Sequence, residues 1–220
     1  MLKATETILR LYDNDEFKVF IIQGYHGYGK SAYANRILSE IYGLRFLNVD
    51  NAVWDKKFFD THLGYHPKEV KHIWDKSKGK DYVFHWDDAG AWLNKYKYRE
   101  RYVQSIVEYL QTARTDFACI IMSCIDAGDL VAGIRELKGT IIIDITKEGC
   151  ILTQNNMARY WRTANAYHIC KNKMGSQWSE DDWADPFNCY MPDTFYNGYY
   201  QPRRTKYARI KKKQVKIDHI

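Results

Sequence analysis

The sequence predicts an α/β fold: a three-layer α/β/α sandwich whose central sheet has five mainly parallel strands. Two observations predict it. Five short apolar runs have the length of β-strands, and segments with helical spacing of apolar residues lie between them. Strands that are apolar on both faces are typical of a parallel sheet covered by helices on each side. With 220 residues, the chain is long enough for one large domain with an appendage.

The candidate strands follow one another along the first two thirds of the chain. They are residues 17–23, 44–49, 81–88, 117–123 and 140–145. After the first of them, apolar residues fall at helical spacing from Ser31 onward, and Gly43 follows where helices commonly end. Residues 100–114 carry a second apolar helical face. Residues 51–79 are mixed and charged, which indicates helix and loop.

The alternating pattern weakens after residue 146. Residues 140–154, TIIIDITKEGCILTQ, indicate a hairpin with Gly149 in its turn. Residues 156–202 are rich in Tyr and Trp and predict an irregular appendage packed on the core. The expected organisation is a core over residues 1–150, an aromatic-rich appendage over 151–202 and a basic tail over 203–220.

Composition argues against several classes of protein. No apolar run approaches the ~20 residues that span a bilayer, and the N-terminus lacks the long apolar stretch of a signal peptide. We therefore expect a cytoplasmic protein without membrane association. The five cysteines are odd in number and form no CxxC pair, which argues against a disulfide framework or a structural zinc site. His62, His66 and His72 are interrupted by Pro67, so no metal site is expected there.

Charge is distributed unevenly along the chain. The formal net charge is +6, yet residues 203–220 alone carry eight basic residues and one aspartate. A neutral body with a basic tail indicates a polyanionic partner, and we expect DNA. The alternative is a tail that is only solvated. The candidate DNA-binding residues are Arg203, Arg204, Lys206, Arg209, Lys211, Lys212, Lys213 and Lys216.

A glycine-rich segment connects the first candidate strand to the first candidate helix. Residues 24–31 read GYHGYGKS, a complete GxxxxGK[ST] pattern. Glycine permits backbone angles forbidden to other residues, so the loop can turn several N–H groups inward, where the helix dipole adds positive potential. Lys30 can reach the β- and γ-phosphates of a nucleotide, and the Ser31 hydroxyl can bind Mg²⁺. The alternative is a glycine-rich turn with a chance GKS.

The candidate nucleotide-binding residues are Gly24, Tyr25, His26, Gly27, Tyr28, Gly29, Lys30, Ser31 and Ala32. This loop resembles that of the P-loop NTPases, a family that also needs an acidic residue at the end of a second strand. Asp87 follows the apolar run VFHW. The resemblance implies that Asp87 helps to hold Mg²⁺ and that Asp88 activates the attacking water. Many relatives carry Glu at the second position, and the alternative role of Asp88 is a cap on the following helix.

The succession of strands resembles the branch of P-loop ATPases with an additional strand in the sheet, which includes AAA+ and RecA-like proteins. In that branch a polar residue at the end of the next strand senses the γ-phosphate, which implies Ser123 at the end of FACIIMS. AAA+ proteins also use an arginine that reaches the nucleotide of a neighbouring subunit. Arg135 and Arg114 are the candidates, and such a role implies a homo-oligomer; the alternative for either is a solvated helix arginine.

GYHGYGKS, VFHWDDAG, ARTDFACIIMS and, more loosely, FNCYMPDTFYNGYYQPRR together resemble the small ATPases encoded by archaeal viruses and plasmids. The resemblance covers about residues 15–150. It implies an Mg²⁺-dependent ATPase coupled to DNA in replication, helicase loading or genome packaging, located in the host cytoplasm if viral. Since the guanine-recognising NKxD motif is absent, we expect ATP rather than GTP.

Two alternative functions remain open. A nucleotide or small-molecule kinase would need a closing lid with arginines, and residues 51–79 contain none. A nucleotide-dependent switch or assembly protein would hydrolyse slowly and perform no motor action. DNA-stimulated hydrolysis would separate the motor from the switch.

Overall fold

The computed structural model describes residues 1–42, 54–147, 161–171 and 177–215. A seven-stranded mixed sheet runs through these residues. The candidate strand 44–49, the hairpin turn at Gly149 and the cation Lys216 lie outside the described residues.

The first five strands of the sheet are parallel, and the last two are antiparallel. The strands are β1 (Lys18–Gln23), β2 (Leu63–Gly64), β3 (Asp81–Trp86), β4 (Phe117–Ser123), β5 (Ile141–Thr146), β6 (Trp161–Lys171) and β7 (Gln177–Asn188). Their order across the sheet is β2-β3-β4-β1-β5-β6-β7. The predicted α/β fold with a mainly parallel core is therefore confirmed.

Helices precede and connect the parallel strands. They are α1 (Lys3–Asp13), α2 (Lys30–Ile41), α3 (Lys56–His62), α4 (Pro67–Trp74), α5 (Arg101–Leu110), α6 (Ala132–Arg135), α7 (Asp193–Phe195) and α8 (Gln201–Val215). A single π-helical turn, Tyr196–Tyr200, joins α7 to α8. Among the described helices, none is long and apolar enough to cross a membrane.

The core lies on both faces of the sheet, as the three-layer prediction requires. Side chains of β1 alternate between the faces. Phe20 and Ile22 belong to a buried cluster that includes residues of α1 and α2. Val19 and Ile21 belong to a second cluster with residues of α4, α5 and α6. All four side chains are fully buried, so the middle of β1 is apolar on both faces, which is the pattern of a strand covered on both sides.

Two parts of the sheet differ from the prediction. The short strand β2 lies in a segment predicted as helix and loop. The appendage predicted as irregular instead contains β6 and β7, a long ribbon that extends the sheet from β5. Most residues of β7 are exposed, so the ribbon lacks the apolar run by which the other strands were found. Pro186 is accommodated because β7 is the edge strand of the described sheet.

The C-terminal basic segment is helical over most of its length. Residues 203–215 form part of α8, which continues directly from α7 and the π-helical turn. The helix packs on the edge of the sheet where the parallel strands have their carboxyl ends, as the contacts of Tyr200 and Arg204 described below show. The part of the basic segment that the structure describes is therefore a helix docked on the body.

Candidate functional site

The glycine-rich loop lies between β1 and the N-terminus of α2. Gly27 and Gly29 both have positive φ, +76° and +96°, a conformation that favours glycine. A Cβ atom at Gly27 would meet nothing within 4 Å, so the backbone angle and not packing requires glycine there. A Cβ at Gly29 would lie 2.7 Å from the Cβ of Cys189. The chain from residue 189 to residue 215, called the C-terminal segment below, therefore packs against the loop.

Lys30 begins α2 and is held inside the loop. Its side chain is nearly buried, with 8% of the residue exposed. The Nζ atom donates to the carbonyl oxygens of Gly24 at 2.7 Å and Tyr25 at 3.1 Å. Burial lowers the pKa of the Lys30 ammonium, while the nearby carboxylates of Asp88 and Asp87 act in the opposite direction. The loop therefore holds a positive charge at the N-terminus of a helix.

Asp87 follows β3 and is fully buried. Its Oδ1 accepts hydrogen bonds from the hydroxyls of Ser31 at 2.8 Å and Ser123 at 2.5 Å. Its Oδ2 accepts from the hydroxyl of Tyr200 at 2.6 Å. Burial opposes ionisation of Asp87, yet the adjacent His85 and these hydroxyl donors together lower the pKa of the carboxyl. Asp87 therefore connects the ends of β3 and β4, the glycine-rich loop and the C-terminal segment.

The pair Ser31 and Asp87 has the chemistry of a magnesium site. Mg²⁺ prefers oxygen ligands and binds proteins through one or two carboxylates, keeping several waters. A serine hydroxyl and an ionised carboxylate, 2.8 Å apart beside the glycine-rich loop, provide such ligands. The residues present therefore fit this ion.

Asp88 adopts a left-handed backbone conformation, with φ 52° and ψ 33°. Its backbone N–H donates to the Ser123 hydroxyl at 2.9 Å. The side chain makes no capping hydrogen bond to the short 3₁₀ turn that follows; instead its Oδ2 accepts from Nε of Arg204 at 3.0 Å. Burial and the charge of Asp87 raise the pKa of Asp88, and Arg204 acts in the opposite direction.

Ser123 lies at the end of β4, where the resemblance implied a γ-phosphate sensor. It is fully buried and hydrogen-bonded to both acids, as donor to Asp87 and as acceptor from the N–H of Asp88. In this arrangement the hydroxyl fixes the relative positions of the two acids.

Two residues of the C-terminal segment reach the acids and were missed by sequence reasoning. Tyr200 binds Asp87 and Arg204 binds Asp88 across separations of 113 and 116 residues. Neither residue was assigned a role at the acids, and Arg204 was grouped with the other tail cations. The available signal was the aromatic-rich segment FNCYMPDTFYNGYYQPRR, residues 187–204, which carried the resemblance only loosely.

Other candidate DNA-binding cations also contact the body. Arg203 pairs with Asp60 at 3.2 Å and with Glu69 at 2.7 Å. Lys211 donates to the carbonyl of Ala91 and lies 5.0 Å from the centroid of the Trp92 ring. The exposed cations of α8 are Lys206, Arg209, Lys212 and Lys213.

The two candidate finger arginines lie outside the cavity described below. Arg114 precedes β4 at the end opposite Ser123, is largely exposed and pairs with Asp15 at 3.8 Å. Because β4 has seven residues, this end lies roughly 20 Å from the acids. Arg135 donates to the carbonyl of Gly128 at 2.9 Å. Neither side chain lines this cavity in its own chain.

A cavity of about 460 Å³ opens between the glycine-rich loop and the C-terminal segment. Lys30, Ser31, Asp88 and Arg204 line its polar part. The C-terminal segment contributes further lining residues, among them Cys189, Tyr190, Met191, Tyr196 and Tyr200. The cavity thus combines phosphate-binding chemistry with aromatic surface.

The strand order decides the fold. The loop after β1 and the acid after β3 meet at one edge, and β4 lies between these two strands in the sheet. The chain has the fold of a P-loop NTPase. The interposed strand is the arrangement that the resemblance to the additional-strand branch implied.

Comparison with known sequences gives one relative. No protein-family profile matches this chain. It is similar to the uncharacterised protein B-251 of Sulfolobus spindle-shape virus 1, with 24% identity over 203 residues. The match covers 90% of this chain and 78% of the viral protein. A relative from an archaeal virus agrees with the resemblance found in the motifs.

Comparison with solved structures gives distant matches. The N-terminal domain of zonular occludens toxin from Neisseria meningitidis matches with a TM-score of 0.43 and 15% identity, over 77% of this chain and 95% of that one. The genome-packaging NTPase B204 of Sulfolobus turreted icosahedral virus 2, in complex with ATPγS, gives 0.39 and 12%, over 76% and 98%. The KaiC-like protein PH0186 of Pyrococcus horikoshii gives 0.35 and 14%, over 74% and 89%.

Proposed function

We propose that this chain is an Mg²⁺-dependent ATPase. The observation that supports the proposal is the convergence of Lys30, Ser31 and Asp88 on one cavity, with Asp87 hydrogen-bonded to Ser31 behind them. Parallel α/β sheets bind their ligands at the carboxyl edge, where this cavity lies. Its volume is within the usual range for ligand pockets.

Each polar residue of the cavity has a distinct proposed role. Lys30 and the loop N–H groups hold the phosphates, because they present positive charge at a helix N-terminus. Ser31 and Asp87 hold Mg²⁺, directly or through its waters. The bound ion supplies neutralisation of the phosphate charge. Asp88 accepts the proton of the attacking water, and Ser123 keeps the two acids in register.

Arg204 is a positioning residue for Asp88 in this proposal. Its Nε fixes one carboxylate oxygen at 3.0 Å, which leaves the other oxygen available to a water molecule. Such charge-assisted bonds are about twice as strong as neutral ones and are directional. Because Arg204 belongs to α8 and Asp88 follows β3, this pair depends on where the helix docks.

We propose that coupling to DNA also runs through α8. Lys206, Arg209 and Lys213 recur at helical spacing on the exposed side of the helix, opposite the side that carries Arg204 and Tyr207. A row of exposed cations attracts phosphates by releasing counterions. The helix would contact the phosphate backbone of DNA without sequence preference, since phosphate contacts carry no base information.

We also propose that the active form is a homo-oligomer in which Arg135, or failing that Arg114, acts on a neighbouring subunit's nucleotide. The test mixes Arg135→Ala protein with Lys30→Ala protein, each inactive alone. Complementation restores part of the activity if Arg135 acts across an interface. A fully active Arg135→Ala protein would rule out that role and leave Arg114 as the next candidate.

A slow nucleotide-dependent switch is a second candidate, favoured by one observation. The carboxylate proposed as base is held by a guanidinium, and a cation this close weakens a base. Turnover would then be slow until α8 moves. The motor and the switch share the same nucleotide site and differ in their response to DNA.

The deciding experiment measures ATP hydrolysis with and without single- and double-stranded DNA, beside Lys30→Ala as a control. ATPase activity that depends on Lys30 and Mg²⁺ supports the proposal. A rate raised by DNA supports the motor, and a slow rate indifferent to DNA supports the switch. Transfer of phosphate to an acceptor other than water would identify a kinase and contradict both.

A further inference from the structure

The ribbon formed by β6 and β7 carries a second cluster of ligand-type side chains. Arg162, near the start of β6, lines the nucleotide cavity. His168 lies six residues further along the same strand, roughly 20 Å away at the usual rise per residue. The ribbon therefore extends from the nucleotide site toward the opposite edge of the sheet, and the cluster is separate from that site.

The register of the ribbon brings four side chains to one face. His168 and Cys170 are two residues apart on β6, so they point to the same side. Glu180 on β7 lies directly opposite His168, and Trp178 lies opposite Cys170. Directly paired residues in an antiparallel ribbon have their side chains within contact distance.

Three of these side chains offer their ligand atoms to a common point. The imidazole Nε2 of His168 lies 3.3 Å from Oε2 of Glu180. The thiol of Cys170 is hydrogen-bonded to the same carboxylate, and all three ligand atoms lie within 4.8 Å of one another. Ligand atoms around a tetrahedral zinc ion are roughly 3.3–3.8 Å apart, given the usual zinc–nitrogen and zinc–sulfur bond lengths.

Trp178 fixes the orientation of the carboxylate. Its indole Nε1 donates to Oε1 of Glu180 at 2.8 Å. That bond occupies Oε1 and leaves Oε2 facing His168. Outer partners that orient a ligand in this way are a regular feature of protein metal sites.

We propose that His168, Cys170 and Glu180 form a Zn²⁺ site with three protein ligands and one position open to water. A thiolate with an imidazole selects zinc over magnesium or calcium, which prefer oxygen ligands only. Binding replaces the thiol proton of Cys170, which leaves to solvent. The sequence argued against zinc because it contains no CxxC pair. This cluster is instead an HxC pair completed by a residue of the neighbouring strand.

Co²⁺ titration of the untagged full chain tests the site, because Co²⁺ occupies zinc sites and a thiolate ligand gives it a near-ultraviolet charge-transfer band. We expect one equivalent to produce the band and Zn²⁺ to abolish it. Cys170→Ser should lose the band, whereas Cys150→Ser should keep it. A wild-type chain without the band, a Cys170→Ser variant that retains it, or its loss in Cys150→Ser would each overturn the proposal.

Two further pairs of variants sharpen the test. His168→Gln should lose tight binding, while His72→Gln, an exposed histidine on α4, should bind as the wild type does. Trp178→Phe removes only the outer hydrogen bond, so we expect metal affinity to fall about 10- to 100-fold with the band retained. Circular dichroism checks that each variant is folded. Equal metal affinity of His168→Gln and His72→Gln would show that the cluster only forms hydrogen bonds between the strands and is not a metal site.

Discussion

The candidate nucleotide site has two sides that the sequence encodes in different ways. On the loop side, residues 24–31 and the two acids sit at the ends of strands that the sequence itself predicts. On the α8 side, Tyr200 and Arg204 reach the same acids from more than a hundred residues further along the chain. Parallel strands bring their carboxyl ends to one edge, which assembles the first side, whereas the second depends on where a C-terminal helix docks.

The comparison suggests a division of labour. The loop side contains the groups that would touch phosphate, metal and water. The α8 side contains Tyr200 and Arg204, which hydrogen-bond to the two acids of the loop side. Substitutions on the loop side should therefore abolish turnover, and those on the α8 side should change its rate without abolishing it. Substitutions on the outer, solvent-exposed face of α8 should leave basal turnover unchanged.

Loss of the proposed base should have the largest effect. Asp88→Asn keeps the shape of the side chain but cannot accept a proton, so we expect kcat to fall about 10²- to 10⁴-fold. Nucleotide binding, measured with a fluorescent ATP analogue, should persist. Normal turnover by Asp88→Asn would remove Asp88 from the chemistry and leave it only its bond to Arg204.

Removal of the loop cation should cause the second-largest loss of ATPase activity. Lys30→Ala deletes the ammonium that the loop encloses, and loss of one such preorganised group costs about 10²–10³ in rate. Lys57→Ala, an exposed lysine of α3, serves as the control. If Lys30→Ala hydrolyses ATP as fast as Lys57→Ala does, the loop is not a phosphate site.

On the α8 side we expect a smaller loss. Arg204→Gln removes the bond that fixes Asp88, and hydrogen bonds to charged groups contribute about 1.5–3 kcal/mol, so kcat should fall about 10- to 100-fold. Arg209→Gln changes the same residue type on the exposed side of the same helix and should leave kcat unchanged. A rate increase in Arg204→Gln would instead identify the arginine as a brake on the base and favour the switch.

The smallest effect on turnover is expected from the outer face of α8. Replacing Lys206, Arg209 and Lys213 by Gln should leave basal ATPase activity intact and reduce the log–log salt slope of duplex DNA binding by about 2–3, because each phosphate contact contributes ~0.9. The matched control removes three exposed cations elsewhere, Lys68, Lys76 and Lys78. Equal slopes for the two triple variants would show that these α8 charges only face solvent.

The parallel core could be predicted because each of its longer strands is apolar on both faces and its functional residues follow strand ends directly. β6 and β7 could not. The side chains of β7 are mostly exposed and carry no apolar pattern, and Pro186 argues against a strand there. The bonds of Tyr200 and Arg204 to the acids could not be predicted either. They arise from helix docking, a long-range event to which no local periodicity corresponds.

The basic C-terminal segment shows how one composition supports two structures. Its charge indicated a polyanionic partner, and the exposed residues of α8 keep that prediction open. Arg203 and Arg204, however, pair with Asp60, Glu69 and Asp88 of the body. A count of cations cannot separate those that face solvent from those that bind acids within the chain, because both kinds have the same sequence signature.

The left-handed backbone at Asp88 bears on the choice of amino acid at this position. Apart from glycine, aspartate and asparagine enter that region most readily, because their short polar side chains tolerate it, whereas longer ones meet greater strain. The turn itself carries the carboxylate toward Arg204, so a short acid suffices. A glutamate at this position would therefore meet more backbone strain than the aspartate does, so the main-chain turn itself favours a short acid here.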